Sequence, residues 1–209
     1  MRKKGCPGFA GKAVNVSFWF FAMSVLNADK SRPMEGGPSF TLGNRVVRVV
    51  WRIVWLAMAA WTPPQFRGWR RFLLRIFGAR IAKTADIYGS ARIWLPSNLE
   101  MGEFSNLGPR ADCYCMAQIT FGPRATVSQG AYLCAGTHDV DDPNMQLMAK
   151  PIILGENCWI AADAFVGPGV TVGDGAVLGA RAVTFRDLEP NMIYVGNPAQ
   201  PTRPRRAAR

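Results

Sequence analysis

One histidine occurs in the chain, His138, within Cys134-Ala-Gly-Thr-His-Asp139. An imidazole takes up a proton near neutral pH with little tuning, so it suits the general base that attack by a hydroxyl requires. A lone histidine is more often structural or merely solvated. This one gains weight from its place, because a regular sequence rhythm breaks for about twenty residues around it, and an excursion of that kind is a natural position for a site. The other reactive side chains are the cysteines Cys6, Cys113, Cys115, Cys134 and Cys158. They are odd in number and lack the paired spacing of a zinc site or a disulfide framework, which fits a reducing, cytoplasmic setting. Cys113 and Cys158 fall on the inward phase of the rhythm, which predicts buried thiols and not nucleophiles.

The rhythm has a period of six from Ile81 onward. Ile81, Ile87, Ile93 and Leu99 form its first block; after a two-residue slip come Met101, Leu107, Cys113 and Ile119, and after another Phe121, Val127 and Leu133. Beyond the interruption run Leu154, Ile160, Val166, Val172, Leu178 and Thr184. Small residues stand two places earlier, from Ala85 to Ala182, as two inward positions per hexad would demand. Glycine follows many of the aliphatic positions, as at Gly102, Gly108, Gly122, Gly155 and Gly173, and this predicts corners that need a permissive backbone. Short strands joined by such corners make an all-β triangular solenoid; apolar spacing of three and four, which a helix needs, is missing.

Ahead of the repeats lies an apolar, basic lead over residues 39–80. Its run from Arg45 to Trp61 has helical spacing and is stopped by Thr62-Pro63-Pro64. A membrane span needs about twenty apolar residues, and the uncharged part falls short. A second helix over residues 68–77 is expected to gather Trp69, Phe72, Leu73 and Ile76 on one face with arginines around it. Two readings stand: a cap on the first coil, or an interfacial lead whose Trp51, Trp55, Trp61 and Trp69 meet an anionic membrane surface. The charge of +11 belongs to the ends, since residues 1–80 hold fourteen Lys/Arg against Asp29 and Glu35, while residues 81–202 hold seven against twelve acids. Residues 1–38 carry no assigned role. Met1-Arg-Lys-Lys before an apolar stretch has the layout of a secretory leader without a convincing cleavage site, and translation from Met34 is an equal alternative.

The segment from Ile81 to about Asp187 resembles the hexapeptide-repeat acyltransferases, whose fold is a left-handed parallel β-helix. TVSQGAYLCAGTHD and ENCWIAADAFVGPGVTVGDGAVLGARAV place it with the sugar O-acetyltransferases of that family. NLEMGEFSNLGPRADCYC, PIILGENCWIAADAFVGPGV and GNPA at 196–199 make it most similar to the colanic-acid-type enzymes of exopolysaccharide biosynthesis. The likeness extends upstream through GNRVVRVVWRIVW and GWRRFLLRIFGARI. It implies a helical lead over 39–80, a β-helix over 81–189 with an inserted loop at about 134–153, and a strap with a basic tail over 190–209.

For function, the resemblance implies direct transfer of an acetyl group from acetyl-CoA to a sugar hydroxyl. His138 would be the base, and backbone N–H groups would hold the tetrahedral oxyanion. Ala162 and Ala180 match backbone contacts to the pantetheine arm and thioester. Arg186 matches a basic position that meets the nucleotide phosphates, and Trp159 a tryptophan beside the groove. The family binds CoA between subunits, which implies a homotrimer, and it requires no metal. An acceptor-binding Asn found in some relatives is missing between Gly108 and Cys115, which leaves the acceptor open: a saccharide, free or lipid-linked, or a small molecule such as an antibiotic or serine. A γ-class carbonic anhydrase shares the β-helix but needs three histidines. Arginines placed on apolar helices, not gathered on one docking face, speak against nucleic acid as a partner.

Overall fold

The structure, a computed structural model, describes residues 28–206, so the leader-like stretch before residue 28 and Cys6 lie outside it. From Arg80 on, the chain winds into about six coils of very short strands. They stack into three sheets, A, B and C, of five, seven and five strands, parallel throughout except for the last strand of B. One coil runs Leu99–Met101 in sheet A, Asn106–Leu107 in sheet B and Asp112–Tyr114 in sheet C, so each hexad supplies one strand and one corner. The blocked aliphatic residues point inward: Ile87, Leu107, Val127, Ile160 and Leu178 line sheet B from one coil to the next. The two-residue slips have a physical origin in sheet A. There the strands Leu99–Met101 and Ile119–Phe121 each bury two residues, so Ile81 pairs with Met101 across a twenty-residue coil while Leu154 pairs with Val172 across eighteen.

The corner glycines serve a different purpose from the one expected. Gly108 does not hold a left-handed backbone; a Cβ there would stand 2.8 Å from Val127 O and 3.0 Å from Gln129 N of the next coil. Close stacking of coils, not corner curvature, therefore excludes a side chain. The left-handed places fall two residues later; glycine fills some of them (Gly130, Gly169, Gly175) and ordinary residues others, among them Arg124 (φ 57°), Asp163 (φ 56°) and Arg181 (φ 58°). Each such residue costs about 1 kcal/mol or more, but each donates its N–H to the preceding coil's corner, Arg124 to Glu103 O at 2.8 Å and Arg181 to Ala162 O at 2.9 Å. Non-glycine corners are held by the ladder they complete.

A β-helix leaves open strand edges at both ends, and both are covered. Helices α1 (Ala28–Ser31), α2 (Leu42–Met58) and α3 (Arg67–Ile76) precede the first coil. Donors from α2 and α3 satisfy its edge carbonyls. Trp51 Nε1 donates to Ile93 O at 2.8 Å and Trp55 Nε1 to Gly89 O at 3.0 Å. Arg70 Nε donates to Ile87 O at 2.6 Å, Arg71 to Ala85 O at 2.8 Å, and Arg75 to Ile81 O at 2.7 Å. This requirement turns α3 away from the face predicted for it. Arg70, Leu73 and Leu74 are buried, Trp69 is half-buried, and Phe72 and Ile76 point outward. Of the four tryptophans, Trp51 and Trp55 pack on protein, Trp69 is half-buried and Trp61 is exposed. At the other end the strands Met192–Val195 and Gln200–Pro204 pair antiparallel on sheet B. Their turn closes sheet C, where Val183 N donates to Gly196 O and Ala199 N to Val183 O. No helix among the described residues is long and apolar enough to cross a membrane.

Candidate active site

The break in the rhythm is a hairpin that replaces the corner between sheets C and A. It leaves after the sheet C strand Tyr132–Cys134, pairs Gly136–His138 antiparallel with Leu147–Ala149, and returns at Ile152–Leu154. Its root is tight: a Cβ on Gly136 would run into Met116 Sδ and the Tyr114 ring. Asp139 N donates to Gln146 O at 2.8 Å and Met145 N to Asp142 O at 2.9 Å, which folds the tip back over the strand. Met145 adopts φ 51°.

This folding presents the Met145 carbonyl to the exposed imidazole, and His138 Nδ1 lies 2.8 Å from it. A carbonyl oxygen can only accept, so Nδ1 carries the proton and donates, leaving the Nε2 lone pair as the basic site. The Asp139 carboxylate is engaged elsewhere, accepting from Asp141 N at 3.1 Å. The orienting group is therefore a backbone carbonyl seven residues on.

Ala162 and Ala180 come together at a different edge, the corner between sheets B and C, on successive coils joined by the Arg181 N–H to Ala162 O bond. They border a groove of about 510 Å³ with Ser128, Gln129, Trp159 and Arg205. The alanines keep the corner low, and their own N–H groups have no acceptor among the described residues. Trp159, 44% exposed, donates from Nε1 to Ser128 Oγ at 2.8 Å and stands as one wall. Arg205 was not singled out by the sequence. Its Nη1 donates to Asn157 O at 2.7 Å and Gly175 O at 3.1 Å, which brings the basic tail back along sheet B.

Arg186 is not beside these alanines. It follows the strand Val183–Thr184 at the C–A corner, the same edge as the His138 hairpin but two coils farther along. Its side chain is exposed and forms no ion pair among the described residues. The four residues thus divide between two edges, His138 and Arg186 on one, Ala162 and Ala180 on the other. Sheet C is the face between those edges. Its outer surface carries a row of rings, Trp94, Tyr114, Tyr132, Phe165 and Phe185, with successive centroids 5.6, 6.3, 5.4 and 5.4 Å apart. The row begins in a cleft of about 580 Å³ beneath α2 that includes Arg48, Asp112, Tyr114 and Tyr132. Arg48 lies 4.5 Å over the Trp94 ring. Burial pushes the Asp112 carboxyl up, and Arg92, 3.4 Å away, opposes that shift.

Comparison with known proteins gives a consistent result. Residues 151–186 match the family model described as bacterial transferase hexapeptide (six repeats). The WcaF protein of Escherichia coli K12, named as a colanic acid biosynthesis acetyltransferase, is 42% identical over 160 residues, covering 77% of this chain and 88% of its own. A galactoside acetyltransferase solved with coenzyme A superposes with a TM-score of 0.70 at 20% identity, over 86% of this chain and 91% of that one. A hexapeptide-repeat acetyltransferase from Vibrio cholerae, solved with acetyl coenzyme A, also gives 0.70, at 19% identity over 87% of this chain and 100% of the other. At these identities the two structures establish the fold.

Proposed function

The chain belongs to the hexapeptide-repeat acetyltransferases, enzymes on a left-handed β-helix, and from that premise we propose that it acetylates a hydroxyl of a saccharide destined for exopolysaccharide. The observation that carries the assignment of the base is the bond from His138 Nδ1 to Met145 O, which leaves Nε2 to accept a proton. As the acceptor oxygen attacks the thioester carbonyl, Nε2 takes the hydroxyl proton. A new C–O bond forms, the C–S bond of the tetrahedral intermediate breaks, and the departing CoA thiolate recovers the proton from the imidazolium. The N–H groups at Ala162 and Ala180, without an acceptor among the described residues, are the donors for the pantetheine arm and the oxyanion, and Arg186 is the cation for the nucleotide phosphates.

Because the base and those donors occupy different edges of one prism, a working site is completed by a neighbouring copy. In a three-fold arrangement the C–A edge of one chain meets the B–C edge of the next. Sheet C then faces the axis, and its row of aromatic rings packs at the centre of a homotrimer. Acetyl-CoA as donor places the reaction on the cytoplasmic side, where a lipid-linked saccharide at the inner membrane face is the acceptor that fits.

The test is consumption of acetyl-CoA by the purified protein across lipid-linked saccharides, free sugars, serine and chloramphenicol. Turnover restricted to saccharides supports the proposal. Turnover confined to serine or the antibiotic overturns the acceptor, and none with any acceptor overturns the reaction.

A further inference from the structure

Helices α2 and α3 have an outward face that does not cap the β-helix, with Arg52 and Leu56 at its border on the cleft beneath α2. On α2, Trp51 and Trp55 turn inward, while Val46, Val49, Ile53 and Leu56 on the opposite side are 52%, 58%, 61% and 57% exposed. On α3, Phe72 and Ile76 are outward as a consequence of Arg70, Arg71 and Arg75 serving the strand edges. Trp69 joins the two helices, donating to Met58 O at 2.8 Å and stacking on Phe72 with centroids 5.6 Å apart. Soluble proteins seldom leave an apolar surface of this extent in water.

The charge around the patch selects its occupant. No acidic residue occurs between Glu35 and Asp86. Arg45 and Arg52, seven residues apart on one side of α2, are exposed beside the valines and form no ion pair among the described residues. A second copy seated on this face would bring the same arginines and no acid to meet them. Phosphate headgroups supply the missing charge, and the acyl boundary beneath them takes the aliphatic side chains.

We infer that the outer face of α2 and α3 is a docking surface for an anionic lipid bilayer, with α2 lying in the plane of the headgroups. Trp51 and Trp55 are not the anchors; α2 uses its Trp side to close the β-helix and its Val/Ile side to meet lipid, while Trp61 just beyond its end is exposed. This deepens the proposed function, since it would bring a membrane-borne acceptor to the enzyme, but its support lies in the helical surface alone.

The full-length protein is sedimented with vesicles of phosphatidylcholine alone or mixed with phosphatidylglycerol. The protein should pellet with the anionic vesicles at low salt, and binding should fall roughly tenfold or more in neutral vesicles or high salt. The double variant Val49→Glu/Ile53→Glu should stay in the supernatant while keeping the wild-type unfolding temperature and acetyl-CoA binding. Wild-type protein that ignores anionic vesicles overturns the inference, as does a double variant that pellets like wild type. A patch that joins copies overturns it too, and would show as a smaller mass of the double variant by light scattering. Acetyl transfer to a soluble acceptor is measured in parallel, so that loss of transfer with intact vesicle binding counts against the enzymatic proposal alone.

Discussion

His138 and Met145 are tied by a bond of 2.8 Å from the imidazole Nδ1 to the Met145 carbonyl oxygen, and this contact is made by backbone on the acceptor side. Replacing the Met145 side chain should therefore matter little, and changing its backbone should matter greatly. Met145→Gly suits φ 51° and should keep kcat within a few-fold. Met145→Pro forbids that φ and removes the N–H that donates to Asp142 O, so its kcat should fall toward that of His138→Ala, about 10²–10⁴ below wild type. Steady-state kinetics with acetyl-CoA binding as a control for folding checks both variants; full activity in Met145→Pro would remove the carbonyl from the mechanism.

Arg186→Glu should weaken acetyl-CoA binding by about 1–3 kcal/mol, as expected for a charge-assisted contact to phosphate. A donor truncated before its nucleotide should keep its affinity. Calorimetric titration with both donors decides the matter, since equal losses would trace to the last coil, where Arg186 N donates to Thr184 Oγ1 at 3.2 Å.

The coils were legible because every hexad repeats the same demand, an aliphatic side chain inward and a small one beside it, so that the stack from Ile87 to Leu178 is written many times over. The features that occur once were not. The outward turn of Phe72 and Ile76 depends on carbonyls at Ile81, Ala85 and Ile87 that become a problem only after the first coil has formed. Hydropathy of α3 alone cannot anticipate that arginines will face the protein. The need for glycine at position 108 is legible from the repeat, but its cause lies in the next coil and not in its own φ. In the site, His138 was visible as a singular residue in a singular loop, whereas Met145 contributes only a carbonyl, which every residue possesses. Arg205 reaches the groove through a terminal strand whose exposed residues lack any alternation.

Division of the site between two edges of the prism predicts complementation. His138→Ala and Ala180→Trp should each be nearly inactive, the first for want of a base and the second through a blocked groove. Unfolded together in equal amounts and refolded, they should form mixed trimers in which about one site in four joins an intact hairpin to an intact corner. Recovery of about a quarter of wild-type activity is the expected outcome. A mixture no better than its parts would mean that each chain builds its site alone.

Cys158 should make the fold sensitive to alkali. Burial, with Asp174 adding to it, pushes its thiol up to about 12, while in an unfolded chain it titrates near 8.5. Between those values the folded state holds the extra proton, so this contribution to stability is complete below about pH 8.5 and is lost as pH rises toward 12, by up to about 1.4 kcal/mol per pH unit. The matching places in the coils on either side are Ala125 and Ala176, so Cys158→Ala fits the stack. Urea midpoints at pH 7 and pH 10 should show similar values for the two proteins at neutrality and a smaller alkaline loss in the variant. An identical loss would assign the effect to other buried groups.

Arg70 is the residue whose replacement should harm the cap most. Only 1% exposed, it donates from Nε to Ile87 O, from Nη1 to Pro63 O and Thr62 Oγ1 at 2.9 Å, and from Nη2 to Pro64 O at 2.9 Å. Burial lowers its pKa and Asp86 opposes that shift, but a guanidinium starts so high that it remains charged. Arg70→Ala leaves several buried carbonyls without a donor and should cost about 3 kcal/mol, seen as a lower unfolding temperature. Arg70→Lys keeps the charge, but a single ammonium cannot span acceptors that a planar fork reaches on three nitrogens, so it should recover less than half of that loss. If lysine restored full stability, charge alone would account for the site and the fork geometry would be incidental.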